Sequence, residues 1–311
     1  MIQISATSRQ PHREPWTLDR LNYERSILLG MSIDTSTATT YSSALNSYLT
    51  FCKMHGLPVD PTPQTLSYYI TFQSFFINPK SVDSYLSGIC NQLEAFFPDI
   101  HKNRTSSLVA RTLAGAKRYR GTPTVCKSPL TVANLVCVAH NLAPSTDHDD
   151  LLFNALLNTG FTGLLRLGEL TWPNKIALRD YRKVTMRSSL ERLAHEYSFW
   201  LPTHKSDITF EGNRIVIRKI SNAPDPHPIV ERYIESRDRL FPFHPQLWLK
   251  ADGTIPLRSW FINCLHQYFG TNVAGQSMRA GGATAMAEAG AVPELIKGAS
   301  RWSSTSFERY I

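Results

Sequence analysis

"LLFNALLNTGFTGLLRLGEL", residues 151–170, is the stretch on which the reading of this chain turns. It is too regularly apolar to be exposed, so it reads as one long buried helix, the spine of a domain. Arg166 stands in it among leucines. A lone guanidinium is costly to bury, and Glu169, three residues on and one helical turn away, is placed to neutralise it. An arginine held in this way is rigid and presents a two-pronged donor to a phosphate. The bland reading of the same pair is a structural ion pair.

Downstream of the spine, "EYSFWLP" and "NRIVIRKI" are β-rich runs on either side of the polar "THKSDITFEG", which reads as a hairpin with a long loop and Lys205 at its tip. Helical patterns resume at "HPIVERYIESRDRLF", "LRSWFINCLHQYF", "QSMRAGGATAMAEAG", "VPELIKGA" and "TSFERY". Arg279 opens the small-residue helix among these, where Gly281 and Gly282 allow close approach. In "SSTSFERY", Thr305 reads as an N-cap with Glu308 three residues later as in a capping box, so Tyr310 is expected near the face that Phe307 anchors.

Upstream, residues 1–33 read as a polar arm with a short helix in "LDRLNYERSILL". A helix from Thr35 carries Tyr41, Leu45, Tyr48, Leu49 and Cys52 on one face and ends at Gly56, with Pro58 behind it. Thr62 then caps a helix opened by Pro63, and Asn78 caps one opened by Pro79. The latter has the stripe Val82, Tyr85, Leu86, Ile89, Leu93 and Phe96. A fourth helix, "SSLVARTLAGAKRYRG", turns Leu108, Val109, Thr112, Leu113 and Ala116 inward. Its basic exit, Lys117, Arg118 and Arg120, follows Lys102, Arg104 and Arg111. Residues 34–121 therefore read as an all-α domain, 122–130 as a linker, and 131–311 as a mostly helical domain with a small sheet.

At 311 residues the chain has room for two cores. With 42% hydrophobic and 19% charged residues it has a globular composition, and no apolar run approaches the roughly 20 residues of a membrane helix. The N-terminus lacks the apolar stretch of a secretory signal, and Cys52, Cys90, Cys126, Cys137 and Cys264 are scattered, so reduced thiols in an intracellular protein are expected. A net charge of +8 points to a polyanion, nucleic acid first. Nucleotide-binding, zinc-protease and esterase signatures are missing, and "GQSMR" lacks the final glycine of a hydrolase elbow.

Taken singly, the paired arginine, the turn lysine and the tyrosine have structural explanations. Together, "TGFTGLLRLGEL", the hairpin lysine, "QSMRAGGATA" and "GASRWSSTSFERYI" resemble, in order and spacing, the tyrosine recombinase (phage integrase) family, the Cre-like group that also includes the bacterial Xer enzymes, with a eukaryotic mobile element as one expected source. The resemblance implies a mainly α fold with a small β-sheet, made of an all-α core-binding domain and a C-terminal catalytic domain. It implies site-specific cleavage and rejoining of double-stranded DNA through a 3′-phosphotyrosine, without cofactor or metal, by a protein that assembles on DNA as a dimer or tetramer. A nuclear location follows if the host is eukaryotic.

Carried over, Arg166 and Arg279 match the arginines that grip the scissile phosphate, and Glu169 the acid that orients the first. Lys205 is similar to the lysine that protonates the leaving 5′ oxygen, and Tyr310 matches the nucleophile. Lys102, Arg104, Arg111, Lys117, Arg118 and Arg120 are the expected DNA-binding cations. Two positions depart from the pattern. Gln276 stands where the family usually has histidine and cannot take or give a proton at neutral pH. Arg301 stands where the family has histidine or tryptophan, with Trp302 one place late. Members also commonly continue past the tyrosine with a docking helix, whereas this sequence ends at Ile311; either a tail lies outside it or assembly works differently. The competing reading is a recombinase-derived DNA-binding protein without chemistry, which Gln276 favours.

Overall fold

The structure is a computed structural model that describes residues 13–123, 126–205, 207 and 209–301. The chain divides into two compact units, 1–124 and 125–311.

The described part of the first unit is all-helical. Helix α1 (Leu18–Gly30) is capped by Thr17 and buries none of its residues. Helix α2 (Thr35–His55) starts where the Asp34 carboxylate accepts from the Ser36 N–H and stops at Gly56, whose φ of 60° is the left-handed conformation that glycine adopts without a steric cost. Thr62 and Asn78 cap α3 (Pro63–Gln73) and α4 (Pro79–Leu93) as the sequence grammar predicts. Tyr48, Phe51, Leu66, Tyr69, Ile70, Leu86 and Ile89 form the core, with Tyr69 edge-on to both Tyr48 and Phe51.

Several side chains depart from the expected stripes. The buried face of α2 runs through Ala44, Tyr48, Phe51 and Cys52, and this phase leaves Leu49 in solvent. Phe96 is exposed because α4 has ended at Leu93, so the helical period no longer governs its direction. A short helix, α5 (Ile100–Thr105), precedes α6 (Ser107–Arg120); Ser106, extended at ψ 151°, separates them, and Leu108 faces solvent.

In the second unit, α7 (Val132–Leu142) begins with a capping box between Thr131 and Asn134. Helix α8 (His148–Thr162) is the spine, with every residue from Leu151 to Thr162 buried. The spine is shorter than predicted. It ends at Thr162, and the chain restarts as α9 (Leu167–Leu170). Leu165 N–H donates to the Gly160 carbonyl and Leu164 N–H to that of Phe161, closing a Schellman turn with Leu164 left-handed at φ 50°. Gly163, next to it, sits where a side chain would not fit. A Cβ there would stand 2.6 Å from Ile217 Cδ1 and 2.9 Å from the Thr159 carbonyl oxygen.

The sheet is antiparallel in the order β1 (Glu191–Arg192), β2 (Glu196–Leu201), β3 (Asn213–Arg218), with Tyr197 opposite Ile217 and Phe199 opposite Ile215. Tyr197, Phe199, Leu201, Ile215 and Ile217 alternate inward, and Tyr197 meets Thr159 of α8 by a 2.7 Å hydroxyl contact. Helix α10 (Pro226–Leu240) packs on α8, followed by α11 (Arg258–Phe269), α12 (Ser277–Glu288) and α13 (Pro293–Ser300). No helix among the described residues is long and apolar enough to cross a membrane.

Candidate active site

Helix α12 packs closely against α8 and against the segment that precedes α7. A Cβ on Gly281 would come within 1.8 Å of the Leu130 carbonyl oxygen, and one on Gly282 within 2.0 Å of that of Phe161. Only hydrogen fits at either position. A Cβ on Gly275 would press on the Leu167 side chain, so the segment leading into α12 lies against the start of α9. The chain thus brings the beginning of α12, with Gln276 and Arg279, beside the residues that follow the spine.

Arg166 caps α9 and Glu169 is its third residue. Glu169 Oε2 accepts from the Arg166 backbone N–H at 2.9 Å, and Oε1 from Arg166 Nη1 at 2.9 Å. The predicted pair therefore forms, with the carboxylate closing a capping box over a single turn where a continuous helix was expected. Oε2 also accepts from Arg301 Nη2 at 3.0 Å. One carboxylate holds two guanidinium groups. Glu169 is 6% exposed, Arg301 10% and Arg166 30%, so the cluster is open on the Arg166 side.

Arg301 is the left-handed C-cap of α13, at φ 56° and ψ 37°, a conformation that directs its side chain back to Glu169. Burial pulls its pKa down, Glu169 pulls it up and the neighbouring Arg166 pulls it down, for a net lowering. At neutral pH the guanidinium stays charged. Arg279 is buried in α12 and donates through Nη2 to the carbonyl of Ser300, the residue before Arg301. A chain of direct contacts and one peptide therefore joins Arg166, Glu169, Arg301, Ser300 and Arg279. The carbonyl of Ser300 and the contact between Arg301 and Glu169 were not legible in the sequence, since nothing local ties residue 169 to residue 301.

Of the other expected residues that are described, Gln276 and Lys205 make no side-chain contact to this network. Gln276 is the exposed N-cap of α12, and Lys205 is exposed in the β2–β3 connection. Trp302 and Tyr310 lie outside the described residues. In the first unit Arg104 and Lys117 both bind Asp83, at 3.2 and 2.7 Å. Arg120 lies over the Phe75 ring and donates to Ser74 Oγ at 2.9 Å, fastening the end of α6 to the C-terminal end of α3. Lys102, Arg111 and Arg118 are exposed, the last two seven residues apart and so on one side of α6. No cluster of side chains suited to a metal ion occurs among the described residues.

No protein-family model matches the sequence, and a search of curated proteins finds no significant match. Solved structures do match. A lambda integrase dimer bound to a core site aligns over 94% of both chains, with a TM-score of 0.58 at 13% identity. The chain shares the fold of tyrosine recombinases. XerH site-specific recombinase, in a post-cleavage complex with its palindromic difH substrate, aligns over 88% of this chain and 75% of its own, with a TM-score of 0.57 at 10% identity. The Tn1549 transposon integrase, in complex with circular intermediate DNA, aligns over 88% of this chain and 94% of its own, with a TM-score of 0.54 at 13% identity.

Proposed function

We propose that this protein is a DNA strand-exchange enzyme, a site-specific recombinase or integrase that breaks and rejoins duplex DNA through a 3′-phosphotyrosine formed by Tyr310. The observation that carries the reading is the buried Glu169 carboxylate holding Arg166 and Arg301 at 2.9 and 3.0 Å, with Arg279 fixed to the adjoining Ser300, inside a recombinase fold. Negative charge spreads over the equatorial oxygens of a phosphoryl group in transfer, and preorganised guanidinium groups stabilise it without a metal. A phosphotyrosine conserves the energy of the broken ester, so rejoining needs no nucleotide. In this reading Arg166 and Arg279 grip the phosphate, Glu169 orients Arg166, and Lys205 protonates the leaving oxygen. The first unit is the core-binding domain and contacts phosphates through the basic residues of α5 and α6, and copies of the chain assemble on DNA.

A second reading keeps DNA binding without chemistry; the observation that favours it is Gln276, a neutral amide at the α12 cap. Both readings require duplex binding that weakens steeply with salt, through release of counterions from neutralised phosphates. Fluorescence anisotropy with random duplexes is expected to show a loss of affinity of roughly 10³-fold or more between about 50 and 200 mM salt for six or more contacts. Arg118→Ala should flatten the slope by about one unit. Flat salt dependence would reject both readings.

A further inference from the structure

Lys205 is exposed in the β2–β3 connection, yet the backbone on either side of it is tied. Thr203 Oγ1 donates to the Asp207 carbonyl at 2.9 Å and the Asp207 N–H to the His204 carbonyl at 2.9 Å, so Lys205 lies between fixed points. The Asp207 carboxylate in turn accepts from the N–H groups of Glu211 and Gly212 at 3.1 and 2.8 Å, which ties the backbone just after Phe210 to the same residue. Phe210 is left-handed at φ 60°, a conformation that a bulky residue takes against a steric cost. Its half-buried ring lies under Arg182, whose Cζ stands 4.6 Å from the ring centroid. Arg182 is itself aimed. Asp180 caps the short 3-10 turn Tyr181–Lys183 and takes the Arg182 fork on both carboxylate oxygens, with contacts of 2.8, 3.1 and 3.2 Å. The fork holds the Asp180 carboxyl below the usual carboxylate range, so the pair is charged at neutral pH. Asp180 and Glu169 line one pocket, so the cation over Phe210 is anchored next to the acid of the Arg166 cluster. A surface ion pair is complete without an aromatic partner, and a left-handed turn position is filled more readily by glycine or asparagine than by phenylalanine.

We propose that Arg182 and Phe210 form a strut that positions Lys205 for its part in strand cleavage. The inference rests on the phosphoryl-transfer reading and deepens it by assigning two positioning residues outside the phosphate-binding cluster. In the step concerned the Tyr310 oxygen bonds to phosphorus and its proton leaves to water. The bond from phosphorus to the 5′ oxygen breaks with its electron pair, and the Lys205 ammonium gives that oxygen a proton. Proton delivery needs the ammonium within hydrogen-bond reach of the leaving oxygen. Arg182 and Phe210 act only through where they keep Lys205.

The test uses the whole chain and varies the leaving group. Two libraries of nicked duplexes of random sequence carry, at one fixed phosphodiester, oxygen or sulfur as the bridging 5′ atom. An alkoxide, whose conjugate acid has a pKa near the value of about 15.7 for water, needs the proton; a thiolate, at about 8.5, leaves without it. Rates of covalent adduct formation are compared for wild type, Lys205→Ala, Arg182→Gln, Phe210→Leu and the double variant Arg182→Gln with Phe210→Leu, each corrected for its bound and folded fraction. A cation–π contact at an exposed site shifts a local equilibrium about two- to fivefold, so each strut variant should be slowed by about that factor on the oxygen library and not at all on the sulfur library. The double variant should be no slower than the slower single variant, since both break one contact. Lys205→Ala should show the same rescue by sulfur on a larger scale. Arg182 is 73% exposed, so Arg182→Gln should leave the second unit folded and carries the test if Phe210→Leu does not fold. Strut variants that match wild type on oxygen, that are slowed equally on both libraries, or whose effects add in the double variant overturn the inference and leave the recombinase reading standing, as does Lys205→Ala without rescue by sulfur. No adduct from the wild type on either library overturns both.

Discussion

Glu169→Gln removes one charge and leaves the shape of the side chain nearly unchanged. The amide keeps one oxygen, which at the Oε2 position still accepts from the Arg166 N–H and from Arg301 Nη2, but its NH2 then faces the Arg166 Nη1 donor. Of the three contacts at 2.9, 2.9 and 3.0 Å, at least one is lost and replaced by donor-to-donor repulsion. Removing one partner of a buried ion pair costs about 3–5 kcal/mol. Arg166 is 30% exposed, so water takes over part of its solvation, and the loss should lie near the lower end, about 3 kcal/mol. For a unit of this size about 1 kcal/mol moves the midpoint by roughly 2–4 °C, so the melting transition of the second unit should fall by about 6–12 °C in calorimetry. The double variant Glu169→Gln with Arg301→Met removes one of the two orphaned cations and should melt above the single Glu169→Gln variant, a non-additivity that independent sites do not show. A fall below about 2 °C, or strict additivity in the double variant, would refute the view of Glu169 as the shared counter-ion.

Two glycine substitutions should move stability in opposite directions. Gly282→Ala places a Cβ 2.0 Å from a backbone oxygen and should cost more than the 1–3 kcal/mol typical of overpacking, whereas Gly115→Ala, in α6 with open space around it, should stabilise by about 0.5–1 kcal/mol; thermal melting reads both. The Asp83 carboxyl is pushed up by burial but held below the usual carboxylate range by the stronger combined pull of Lys117 and Arg104. Its contribution to stability is therefore present above its unfolded pKa of about 3.9 and lost as pH falls through the lower folded value. Asp83→Asn should flatten the acid limb of a plot of midpoint against pH, and an unchanged limb would show that the carboxylate contributes nothing.

The fold was legible wherever local chemistry decides it. Thr62–Pro63, Asn78–Pro79 and Gly56 mark helix ends by capping, and each marks one in the structure. The alternation in "EYSFWL" and "NRIVIR" places Tyr197, Phe199, Ile215 and Ile217 inward. The spine was overextended because apolar periodicity runs past Thr162 without interruption. The helix ends in the Schellman turn at left-handed Leu164, beside Gly163, where a Cβ would press on Ile217, a residue over fifty positions away. At the site, the spacing of Arg166 and Glu169 was enough to predict their pairing, and "GG" in α12 its close approach. The role of Ser300 and the tie from Arg301 to Glu169 depend on the left-handed C-cap of α13, which no residue preference signals, since arginine rarely takes that conformation.

In the proposed reaction a tyrosine attacks a phosphate held at the Arg166–Glu169–Arg301 cluster. A library of nicked duplexes of random sequence, which trap covalent intermediates by losing the short strand beyond the break, removes the need to know the target site. Denaturing electrophoresis after incubation should show protein covalently joined to DNA, with the adduct mapping to Tyr310 by peptide mass, disappearing in Tyr310→Phe and in Arg166→Lys, and rising in Gln276→His. A protein that binds the library in a salt-dependent manner yet yields no adduct in either the wild type or Gln276→His, or an adduct that survives Tyr310→Phe, would contradict it.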